Sequence, residues 1–150
     1  MPAKKGPRAG PARAASPGFT REERAAMRER VQESKAERSK LDGEKQVRAK
    51  IAEMNRSDRA IAERIHAIVK DVAPDLTPRT WYGMPAYSRA DKIVCFVQPA
   101  AKFGVRYATL GFSDEAKLDD GRMWPTSYAI SQLMDDEAAR IAVLLRTALR

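Results

Sequence analysis

The chain has 150 residues, which suits one domain plus an appendage, and its 43% hydrophobic content allows a real core. Its net charge of +8 is uneven: residues 1–50 carry 14 Lys/Arg against 7 Asp/Glu, and residues 51–150 carry 14 against 13, so the basic excess belongs to the N-terminal third. A single cysteine, the lack of an apolar run of about 18 residues, and a basic start with no apolar stretch behind it argue against a disulfide-stapled, membrane-spanning or secreted chain; a cytoplasmic protein is the expectation.

Residues 1–18 are rich in Pro, Gly, Ala and Lys/Arg. They cannot bury enough surface to offset ordering entropy and read as a disordered basic tail. Thr20 and Glu23 form the capping box of a first helix. That helix has a thin apolar stripe (Ala25, Met27, Val31) and gives a charged helical extension over 19–41. The triplet Leu41-Asp42-Gly43 breaks the pattern, and Asp42 caps a second helix carrying Val47, Ile51 and Met54; the folded domain is expected over 42–150. Asn55 ends that helix and Ser57 caps a third. There Ile61, Ile65, Ile68, Val69 and Val72 recur at helical spacing, with Pro74 beyond the end.

From residue 79 the period changes to two. Residues 92–98, Lys-Ile-Val-Cys-Phe-Val-Gln, are apolar on both alternating sets, as in a central strand. Residues 102–112 predict a further strand with Phe103, Val105, Tyr107 and Thr109 on one face. The polar turn 88–92 and the turn 98–101 join these into a meander. Residues 113–121 form an acidic loop, 126–133 another strand, and Asp135 opens a last helix with Ala138, Ile141, Leu144, Leu145 and Ala148 inward. The fold class is α+β: an antiparallel meander of about four to five strands packed with N-terminal helices and a C-terminal helix.

No catalytic constellation is visible. His66 is the sole histidine and Cys95 the sole thiol; nothing local pairs them, and together they are too few for a structural zinc site. Phosphate-binding glycine loops are absent. Carboxylates alone suffice for a hard metal, and Asp114, Glu115, Asp119 and Asp120 cluster, as do Asp135, Asp136 and Glu137. The plainer reading of both clusters is solvated loop and helix-start charge. The aromatics Trp81, Tyr82, Tyr87, Phe103, Tyr107, Trp124 and Tyr128 are many for this size; Trp81, Tyr82, Met84, Tyr87, Arg106 and Tyr107 form a candidate ligand surface for an organic anion, if they share a face. The plainer reading is core packing. Lys4, Lys5, Arg8 and Arg13 in the tail are candidate contacts for weak, non-specific nucleic-acid binding. The stretch Thr-Trp-Tyr-Gly-Met-Pro-Ala-Tyr (80–87) reads first as a structural corner, with Gly83 freeing the backbone and Pro85 fixing entry into a strand.

Residues 80–118 resemble the YdhG-like family of small bacterial domains of unknown function. The likeness is carried by Tyr82 to Tyr87, Lys92 to Phe96 and Phe103 to Tyr107, and extends over roughly 45–148. It implies a compact α+β fold. Some members are labelled frataxin-like iron chaperones, so the resemblance implies loosely bound iron on Asp114, Glu115, Asp119 and Asp120, with iron–sulfur or haem assembly proteins as partners. The expected function is a non-enzymatic intracellular binding protein. An iron carrier is the leading reading; an organic-anion binder on the sheet aromatics and a nucleic-acid-associated protein acting through the basic N-terminal extension are the alternatives.

Overall fold

The computed structural model describes residues 19–150, except the side chains of residues 29, 32–37 and 39; the tail with Lys4, Lys5, Arg8 and Arg13 lies outside the described residues. The chain divides into two units, Met1–Glu37 and Arg38–Arg150. Helix α1 spans Arg21–Ala52. In the first unit the expected capping box forms: Glu23 N–H donates to the Thr20 hydroxyl at 3.0 Å, and Thr20 N–H donates to the Glu23 carboxylate at 2.9 Å. Met27 and Val31 are exposed, in keeping with the thin stripe.

The second unit departs from expectation at Leu41-Asp42-Gly43, which lies inside α1 rather than breaking it. Gly43 has a packing reason: a Cβ there would collide with the Pro78 carbonyl oxygen. A glycine inside a helix costs about 1 kcal/mol relative to alanine. The close approach it permits, with Val47 and Ile51 buried one and two turns further on, offsets that cost. Helix α2 covers Arg56–Val72, and its cap is Asn55 rather than Ser57: the Asn55 side chain accepts from Asp58 N–H at 2.9 Å. Ile61, Ala62, Ile65, His66 and Val69 form its buried stripe.

Strands β1 (Thr77–Trp81), β2 (Met84–Arg89), β3 (Lys92–Gln98), β4 (Ala108–Phe112) and β5 (Ser127–Ile130) pair in sequence order as an antiparallel five-stranded meander. The corner expected at 80–87 is instead a hairpin. Tyr82 and Gly83, at φ 51° and 75°, make a two-residue turn closing the Trp81–Met84 pair. Ala90 and Asp91, also at positive φ, close the next hairpin. The strand expected from residue 102 begins only at Ala108. A short helix α3 (Ala100–Phe103) ends at Gly104 in the left-handed region, so Phe103, Val105 and Tyr107 are exposed. Asp58, buried in α2, accepts from Ala101 N–H at 3.0 Å and fixes α3 in place.

Helix α4 spans Asp135–Ala148; Met134 is its cap residue, and Glu137 accepts from Met134 N–H at 2.8 Å. Arg64 of α2 reaches Asp135 at 2.6 Å. Ile61, Ile65, Val69, Ile141 and Leu145 form one apolar core with Tyr87, Cys95, Val97 and Leu110 of the sheet. The register slips between Tyr87 and Ser88, leaving Val94 as an unpaired extra residue. The bulge turns Val94 as well as Cys95 into the core, while Phe96 on the other face is only half-buried, so β3 is less covered on that face than its two apolar sets predicted.

Candidate functional site

The two faces of the sheet differ. Alternation along the strands puts Pro78, Tyr87, Cys95, Val97, Leu110 and Phe112 on the helix side, all buried. Arg79 pairs with Ala86, Ala86 with Phe96, Phe96 with Gly111 and Gly111 with Ser127, which is one row across the opposite face. Trp81 lies two residues from Arg79 and shares this outer face. Arg79, Trp81, Ser127 and Ala129 are exposed and Phe96 half-buried.

On this outer face three rings touch. Trp81 meets Phe96 at 5.2 Å between centroids and Tyr82 at 5.1 Å, both edge-on. Phe96 lies against the sheet because Gly111 has no side chain; a Cβ there would overlap the ring. Trp81 is 37% exposed and Tyr82 77% exposed. Cations accompany the rings. Arg79 shares the Phe96 row, Lys102 Nζ donates to the Gly83 carbonyl at 3.3 Å beside Tyr82, and Arg106 stacks 5.3 Å from the Tyr107 centroid. Residues 77–112 contain five Lys/Arg (Arg79, Arg89, Lys92, Lys102, Arg106) and one carboxylate, Asp91. Asp91 occupies the β2–β3 turn, at the far end of β2 from Tyr82.

The candidate ligand residues named from sequence are therefore divided. Trp81 and Tyr82 are on the outer face, and Arg106 with Tyr107 leads into β4. Met84 is buried. Tyr87 is fully buried on the core side and is not available to a ligand on the outer face. The position that sequence reasoning missed is Phe96; the glycine inside strand β4 was the signal, because a strand glycine often marks a close approach.

Tyr87 instead ends a buried polar chain that clamps β2 to both helices. Its hydroxyl and His66 Nδ1 are 2.8 Å apart, and His66 Nε2–H donates to Glu44 at 2.6 Å. Glu44 of α1 also accepts from Arg48 at 2.6 Å and Lys70 at 3.3 Å. Burial pushes the Tyr87 hydroxyl far above its ordinary value, helped by Cys95 and Glu44. Partial burial acts to raise the Glu44 carboxyl, but His66, Lys70 and Arg48 outweigh it and hold it down at about 2. Both His66 nitrogens are occupied by protein, so neither is free to act as a base on a bound ligand. Cys95 is buried and its thiol is pushed up to about 12 by that burial, which suits a core residue and not a nucleophile.

A groove of about 680 Å³ runs between α1 and α2, walled by His66. Its cations Arg48, Arg59 and Lys70 are matched by Glu63 and Asp71 in the lining and by Glu44, so it has no charge preference to select a ligand. The acidic loop has a structural frame. The Ser113 hydroxyl donates to the Ile93 carbonyl and accepts from Glu115 N–H, while Ala116 and Leu118 are buried. Asp114, Asp119 and Asp120 are left exposed, and Glu115 faces Lys92 at 3.9 Å. Among the described residues no three Asp, Glu, His or Cys side chains gather as a metal site.

No family model, curated protein or solved structure matches the chain. The resemblance to the YdhG-like family therefore stands on its motif residues alone.

Proposed function

We propose that the chain is a non-enzymatic binding protein that takes a planar organic anion on the outer face of its sheet. One observation carries this reading: the rings of Trp81, Tyr82 and Phe96 touch on the outer face, with Arg79 in the Phe96 row and Lys102 at the Gly83 carbonyl beside Tyr82. Aromatic rings offer stacking area to a planar ligand, and neighbouring Lys/Arg attract its charge. The buried chain Tyr87–His66–Glu44 fixes the reverse side of β2 and keeps this face in shape.

Uridine monophosphate is a suitable probe. It should quench the fluorescence of Trp81 saturably, with Trp124 remaining as a reference. Trp81→Leu should abolish the effect, and Arg79→Ala should weaken it. Quenching that survives Trp81→Leu, or no quenching at any accessible concentration, would overturn the reading.

A further inference from the structure

We infer that the outer sheet face receives an extended single strand of nucleic acid, an inference that rests on the face being the ligand site. The rings do not converge on one point. Tyr82, Trp81 and Phe96 form a continuous patch from the β1–β2 turn across to β3, each centroid about 5 Å from the next. One base covers one ring, so a patch of this extent suits successive bases. Stacking of this kind is tolerant of sequence, since every base has a π-face.

The cations are likewise spread out. Arg79 stands in the Phe96 row, Lys102 is at the Tyr82–Gly83 turn, and Arg106 lies over Tyr107 where the chain enters β4. A single phosphate would favour convergent donors. Separated donors beside a line of rings match a phosphate backbone that passes along them. Arg89, Asp91 and Lys92 are at the opposite end of β2, away from the patch. Three cations thus stand at the end of the sheet that carries the rings: Arg79 in β1, Lys102 at the Tyr82–Gly83 turn and Arg106 before β4. A duplex is a poor fit, because its base faces are already stacked within the helix.

The test uses the full chain with four probes: fluorescein-labelled 12-nucleotide oligo-U, oligo-dT of the same length, a length-matched duplex, and heparin as a base-free polyanion. Oligo-U or oligo-dT should bind at least tenfold more tightly than uridine monophosphate and than the duplex. Trp81→Leu and Tyr82→Asn should each weaken the single strand about tenfold, on the order of one lost stacked base, and leave heparin unchanged. Arg79→Ala should lower the slope of log affinity against log salt by about one. Tyr82→Asn alters only an exposed turn position that Asn tolerates, so it serves even if Trp81→Leu is unstable.

Ring variants that bind the single strand as well as wild type, or that lose heparin equally, overturn the inference. So does a duplex that competes equally. If uridine monophosphate binds but the oligonucleotide gains nothing, the extended strand falls and the sheet-face reading stands; if neither binds, both fall. A Trp81→Leu variant that dissociates an oligomer without affecting oligonucleotide binding would mark the patch as a protein interface and also overturn it.

Discussion

His66 and Tyr87 meet at 2.8 Å in the core, joining the middle of α2 to the centre of β2. Replacing Tyr87 by Phe keeps the ring and removes the hydroxyl, leaving the buried His66 Nδ1 without its partner. Chemical denaturation should show a loss of about 1–3 kcal/mol. An unchanged midpoint would mean that the hydroxyl is not needed there.

The other end of the same chain sets a pH dependence. The Glu44 carboxyl titrates near 4.5 ordinarily and at about 2 in the fold. The native state binds fewer protons than the unfolded state between these values, so the stabilisation is complete above about 4.5 and is lost as pH falls toward 2. Urea midpoints measured across that window should fall less steeply for Glu44→Gln than for wild type. Parallel curves would remove Glu44 from the acid response.

Gly43 and Asp42 report on the course of α1. Gly43→Ala should improve helix propensity by about 1 kcal/mol yet lose about 1–3 kcal/mol net, because the added methyl strikes the Pro78 backbone. Asp42 is exposed within the helix, so Asp42→Ala should be neutral or slightly stabilising. If Asp42 capped a separate helix, its removal would instead cost about 1 kcal/mol. Thermal denaturation of both variants decides the matter.

The second hairpin turn holds Ala90 and Asp91 in the left-handed region, where each is strained by about 1 kcal/mol. Ala90→Asn combined with Asp91→Gly supplies the residues this turn favours. A rise in stability of about 1 kcal/mol is expected, read as a higher denaturation midpoint. A decrease would show that the turn is of another type.

How much of this was legible in the chain follows from how local each cause is. Helix α2 is written in its own spacing from Ile61 to Val69, and the Thr20–Glu23 cap is complete within four residues. The continuity of α1 was not legible, because the reason for Gly43 is a carbonyl 35 positions away at Pro78. The chain Glu44–His66–Tyr87 joins three elements over separations of 22 and 21 residues; the one clue was that Ala62, His66 and Val69 fall on one helical stripe. Residues 103–107 alternate like a strand, but Gly104 in the left-handed region ends a short helix there instead. Which face Tyr87 takes depends on the two-residue turn at Tyr82–Gly83. Once that turn is known, Trp81 and Tyr87 fall on opposite sides of the sheet, and the ligand surface read from the sequence separates into a core half and an exposed half.

The most direct test of the sheet-face reading is a two-dimensional amide NMR titration of the full chain with uridine monophosphate. Shifts confined to residues 79–84, 96–111 and 127–129 are the predicted result. Shifts along the helical groove at 48–71 or the acidic loop at 113–121, with a silent sheet, would contradict it.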